Sequence, residues 1–106
     1  MIQMLSRFDL KPDIATADFQ ASYAAFIALL VSEGLIENSG QVCRRLSNTP
    51  MDTDAEDAPE FYTIMTFRDR SQLDAAYTRF KKSMAGHEAV FTSVCNSTFT
   101  CWEELK

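Results

Sequence analysis

Glycine, proline and histidine are scarce here: three, three and one in 106 residues. So few glycines leave no material for a glycine-rich phosphate loop or a strained nucleophile elbow. Cysteine is also sparse, and Cys43, Cys95 and Cys101 form an odd, widely spaced set. In a reducing compartment they read as small buried hydrophobes, not as a disulfide framework. A zinc site needs paired Cys or His at tight spacing, which the chain lacks. A cysteine nucleophile needs a helix N-terminus or a nearby cation. Only Cys43, beside Arg44 and Arg45, has one in sequence. Cations are outnumbered overall, with 10 Lys and Arg against 15 Asp and Glu and a net charge of −5. That excludes nucleic acid, whose phosphates demand a clustered basic excess.

Long apolar runs are missing as well. The longest, Ala24 to Val31, is far too short to span a bilayer. The opening MIQMLSRFDLKPD has no basic region followed by an apolar core and a cleavage site, which predicts a cytoplasmic protein not associated with membranes. Asn96-Ser97-Thr98 is then a glycosylation sequon in pattern only. Asp52, Asp54 and Glu56 mimic the first positions of a calcium loop. Yet Asp57 stands where the turn needs glycine, and Thr63 where the bidentate glutamate belongs. The cluster, closed by Glu60, reads as a solvated loop, and no metal is expected.

What remains is one ordinary globular domain over residues 1–106, with 46% apolar and 24% charged residues. Ile2, Met4, Ser6, Phe8 and Leu10 alternate with Gln3, Leu5, Arg7 and Asp9, so the first ten residues predict a strand with one strongly apolar face that Pro12 ends. Phe19, Tyr23, Phe26, Ile27, Leu30 and Val31 recur at helical spacing, with Thr16 as N-cap and Gly34 as stop. The other side of this helix is small: Ala21, Ala24, Ala25, Ala28 and Ser32. Residues 35–46 predict a second strand with a bulge at Ser39-Gly40, 47–60 a polar loop, and 61–67 a third strand. Asp69 or Ser71 caps a second helix with the stripe Leu73, Ala76, Tyr77, Phe80 and Met84, ended by Gly86. A short irregular or helical piece precedes a fourth strand, Val94 to Trp102.

The order βαββαβ is that of an α+β, ferredoxin-like sandwich, a four-stranded antiparallel sheet with both helices on one face. The other face then carries Leu5, Arg7, Tyr62, Ile64 and Thr66, with Val94, Asn96, Thr98, Thr100 and Trp102 from the last strand. This mixed apolar surface predicts a homodimer stacked through the open sheet face, with Arg7 and Asp9 paired within or across the seam.

In length and element order the chain resembles the dimeric α/β-barrel superfamily, which includes small antibiotic-biosynthesis-type monooxygenases. The resemblance implies a pocket between helices and sheet in each subunit, and activities from oxygenation and isomerisation to plain ligand binding. The haem-degrading branch is known for an Asn on the first strand, a Trp ending the third and a His within the second helix. Ser6 or Arg7, Phe67 and Tyr77 stand at those places here, so haem is disfavoured and no cofactor is expected.

His87, ten residues beyond Tyr77, follows Gly86 and reads first as the neighbour of a helix terminator, where an imidazole favours the helix carbonyls. Histidine is the residue type suited to proton transfer near neutral pH, which keeps His87 a candidate acid–base group beside Tyr77 and Tyr23. The aromatic set reads first as core. It equally suits a cavity for an apolar organic molecule lined by Ser6, Phe8, Tyr23, Phe26, Met65, Phe67, Tyr77 and Phe80, made adaptable by Met4, Met65 and Met84. Three functions follow: an apolar-ligand binder, a cofactor-free monooxygenase or isomerase, and a non-catalytic interaction domain. A solid core without a cavity would favour the last.

Overall fold

A computed structural model describes residues 1–47, 49–54, 59–82 and 86–106. The first strand, β1, is Ile2–Leu10 and the first helix, α1, is Thr16–Ser32. Two short strands follow, β2 at Asn38–Ser39 and β3 at Cys43–Arg44, and then β4 at Phe61–Phe67. The chain closes with α2 at Arg70–Phe80, a short α3 at His87–Phe91, and β5 at Val94–Glu103.

Strand order is β2-β4-β1-β5, with β3 also on β4 and every pairing antiparallel. Register places Met4 opposite Met65, Ser6 opposite Thr63, and Phe8 opposite Phe61. Because side chains alternate across a strand, these six share the face that α1 covers. Phe19, Tyr23, Phe26 and Leu30 are the buried stripe of α1, and the alanine-rich side is exposed, with Ala21, Ala24, Ala25 and Ala28 all facing out. The expected second strand is thus two two-residue pieces on either side of Gly40, whose N–H still reaches the Ile64 carbonyl at 2.9 Å.

The helix ends follow local chemistry. Thr16 is the first helical residue of α1 and not its cap; Ala15 holds that place without a side-chain bond. At the other end Leu35 N donates to Leu30 O at 2.9 Å and Gly34 N to Val31 O at 3.0 Å. With Gly34 at φ +72°, this paired closure satisfies two carbonyls the helix itself leaves open. Asp69 caps α2 as expected, accepting from Gln72 N at 2.9 Å, which holds its carboxyl below the usual range. The buried Gln72 side chain accepts from Arg68 N and donates to Gly34 O, at 2.7 and 3.0 Å. It ties the start of α2 to the end of α1. Helix α2 stops at Phe80, short of Gly86, which instead precedes α3 in a left-handed conformation at φ +83°. Met84 lies outside the described residues.

Strand β5 departs most from expectation. Arg7 pairs with Thr98 but Asp9 pairs with Cys95, so Phe8 faces two residues, Asn96 and Ser97. Asn96 takes φ 54°, which asparagine tolerates better than most residues. This bulge keeps Thr98, Thr100 and Trp102 on the open face but turns Val94, paired with Leu10, toward the helices. β5 is also an edge strand, so Cys101 is exposed, and Cys43 and Cys95 are half-buried; the expected burial of the cysteines fails there. On the open face, Asp9 accepts from Glu60 N and Asn96 Nδ2, at 2.8 and 3.0 Å. Its carboxylate is therefore engaged away from Arg7. Arg45 grips Asp54 through two hydrogen bonds and, with a smaller contribution from Arg7, holds its carboxyl at about 2.

The candidate ligand cavity

Between the helices and the sheet lies a cavity of about 340 Å³. Its floor is the middle of β1 and β4, where Met4, Ser6 and Phe8 run beside Met65 and Thr63. One wall is the aromatic face of α1. Phe8 and Phe19 stand 5.3 Å apart and Phe19 and Tyr23 6.0 Å, centroid to centroid. The far wall is built around His87. Its ring lies parallel to Phe80 at 5.4 Å and contacts Phe26 at 5.6 Å and Phe91 at 5.7 Å. Offset and tilted pairs at these distances are the preferred geometries of aromatic rings.

The position of His87 rests on Gly86. A left-handed backbone at that point turns the chain so that α3 lies against α1, where the Phe26 side chain passes 3.6 Å from where a Cβ would stand. His87, Val90 and Phe91 then share one side of α3 and all line the cavity. The histidine is half-buried, and its imidazole nitrogens have no hydrogen-bond partner among the described residues.

Tyr23 is different. Its hydroxyl lies 2.8 Å from Ser39 Oγ, and Ser39 Oγ donates its one proton to Gly40 O at 2.9 Å. Tyr23 is therefore the donor to Ser39. Burial pushes the phenol above its ordinary value of 10.0, the neighbouring Ser39 and Thr63 side chains opposing this only in part. A neutral phenol committed to Ser39 is a brace between α1 and the strand that carries Ser39.

Tyr77 sits at the mouth, 61% exposed, with Lys81 Nζ 4.5 Å from its ring centroid. Phe91 and Phe99 are exposed beside it, at 55% and 54%. Of the side chains expected to line the cavity, Ser6, Phe8, Tyr23, Phe26, Met65, Tyr77 and Phe80 do so. Phe67 does not. It pairs with Ile2, one step beyond Met65 toward the end of the sheet, and is wholly buried in the core. The lining also includes Ser97 and Phe99, which the alternation of β5 turns inward, and Val94, delivered by the bulge, which nothing in the local sequence marks. His87 and Phe91 had a signal, their spacing of four residues. No carboxylate, ammonium or guanidinium group lines the cavity among the described residues, and none of their His, Cys, Asp and Glu side chains cluster as a metal site.

A family of unknown function, DUF6614, matches residues 1–103. This chain belongs to that family. No curated protein matches the DUF6614 chain. Among solved structures it is similar to the Arabidopsis thaliana protein At3g17210, with a TM-score of 0.75 at 6% identity over 100% of this chain and 97% of that one. A variant of SnoaB, a cofactor-independent oxygenase from Streptomyces nogalater, gives 0.68 at 14% identity over 99% and 93%. A dimeric ferredoxin-like protein of unknown function from Thermobifida fusca gives 0.59 at 10% identity over 95% and 88%. The fold is thus a ferredoxin-like sandwich, as the element order predicts. Among the described residues no helix is long and apolar enough to cross a membrane.

Proposed function

We propose that this protein is a cytoplasmic homodimer that holds one apolar organic molecule between helices and sheet in each subunit. The observation that carries the reading is the cavity itself. A space of about 340 Å³ falls in the range of small-molecule sites, which are apolar with a few placed polar groups. Here those groups are hydroxyls and one imidazole. A core this small would be expected to close on itself if packing were its only purpose, since voids forfeit contacts. That weighs against a plain interaction domain. The dimer is supported by the half-buried Leu5, Arg7, Ile64 and Thr66 and the exposed Trp102 on the uncovered face. The location is supported by three cysteines that are all free thiols.

A second reading, a cofactor-free monooxygenase or isomerase, is favoured by one specific feature. His87, whose nitrogens have no partner among the described residues, lines an apolar space, the setting in which a histidine can move a proton to or from a bound molecule. SnoaB, an oxygenase that works without a cofactor, has the same fold. With the Tyr23 hydroxyl engaged by Ser39, the acid–base work in this reading falls to His87 and Tyr77.

One experiment covers both readings. Native mass spectrometry and solvent extraction of the purified protein are expected to yield a bound apolar compound, and fluorescent apolar probes to bind and be displaced by it. No extracted compound and no probe binding would end the ligand reading. Turnover of quinol-like or lactone substrates that His87→Ala or Tyr77→Phe reduces at least tenfold would establish the second; binding without turnover would dismiss it.

A further inference from the structure

The floor of the cavity carries two hydroxyls side by side. Ser6 and Thr63 are opposite one another across β1 and β4, and both are buried, at 6% and 2% exposure. Thr63 lies near the Tyr23 hydroxyl and favours its ionised form. Ser6 has no hydrogen-bond partner among the described residues. Every fully enclosed side-chain polar atom among them does have one, so the Ser6 oxygen must open onto the cavity it lines. The rest of this face of β1 is Ile2, Met4, Phe8 and Leu10. A serine in that row gives up apolar burial and gains no bond within the chain.

We infer that Ser6 is a specificity-determining residue, whose hydroxyl binds a neutral oxygen, a carbonyl or a hydroxyl, at the leading end of the bound molecule. This deepens the ligand-binding reading and rests on it. The orientation follows from the walls. Exposed aromatic rings of Tyr77, Phe91 and Phe99 rim the mouth, so the apolar trailing part faces outward and the oxygen points to the sheet. The oxygen is uncharged because no ammonium or guanidinium group lines the cavity among the described residues and the one imidazole there, His87, packs among Phe26, Phe80 and Phe91; an ionised group taken into an apolar site without a partner is heavily disfavoured. A hydrocarbon of the same shape leaves Ser6 unpaired, and a site with a buried polar group rejects an analogue that cannot satisfy it.

The test compares naphthalene with 2-naphthol, a matched pair differing by one hydroxyl, by calorimetry at neutral pH on the full chain. The wild-type protein is expected to bind the naphthol roughly tenfold more tightly, the scale of one good hydrogen bond. Ser6→Ala is expected to abolish that preference by weakening the naphthol alone, and Ser6→Thr, which keeps the hydroxyl, to retain it. Equal binding by the wild type, or a preference that survives Ser6→Ala, would overturn the assignment while leaving the cavity a ligand site. Binding of neither compound would overturn the assignment, with the ligand reading decided separately by extraction and probe binding.

Discussion

Tyr23 and His87 are both rings in an apolar wall, yet the sequence alone gives them equal standing as acid–base candidates. What separates them is occupancy of their polar atoms. The Tyr23 hydroxyl is held by Ser39 and its ionisation is suppressed by burial; the His87 nitrogens are bare among the described residues. Helical spacing makes the inward direction of Tyr23 and Phe26 legible, and strand alternation does the same for Ser6 and Phe8. Neither pattern says which hydroxyl finds a partner, because partners such as Ser39 come from distant parts of the chain. The raised Tyr23 value has a consequence for pH. A group whose folded value lies above its unfolded 10.0 contributes stability that is present in full below pH 10 and is lost as pH rises through the folded value. Urea unfolding is therefore expected to show the wild type losing more stability between pH 8 and pH 11 than Tyr23→Phe does. At pH 8 the variant should be weaker by about 1 kcal/mol, the usual worth of one buried hydrogen bond.

Elements with several turns or alternations were readable: β1, α1, β4 and the capped start of α2 all stand where periodicity and Asp69 put them. Short elements were not. Helix α3 spans five residues, too few for a period to declare itself, so Gly86 reads as an end when it is a beginning. The facing of β5 changes at Asn96-Ser97, where a bulge adds one residue and carries no glycine to announce it. Gly86 nonetheless has a checkable role. An alanine there meets ordinary contacts with Phe26 but must adopt φ +83°, which costs an L-residue about 1 kcal/mol or more. Gly86→Ala is thus expected to lower unfolding free energy by that amount and to weaken probe binding, since α3 carries His87 and Phe91 into the wall. Gly40→Ala, whose nearest new contact is 4.0 Å away, is the control and should do neither.

At the scale of the molecule, the sheet has one face sealed by helices and one that is not. The outward side chains combine Leu5, Ile64 and Trp102 with Arg7 and Thr98, too apolar to be indifferent to water and too flat to close on themselves. If two copies bury this face, the protein sediments at twice its 12.0 kDa chain mass. Ile64→Lys, which places a charge in the centre of the seam, is then expected to leave single chains at micromolar concentration, with the cavity intact. A wild type that sediments as single chains would remove the dimer from the proposed function and leave the ligand site standing. The edge of the same sheet carries its own safeguard. β5 has a neighbour on one side only, and a long straight border of free amides and carbonyls invites identical chains to stack into fibrils. The kink at Asn96 interrupts that border; excising this residue would straighten it while leaving Val94 opposite Leu10, converting a discrete particle into a template for aggregation.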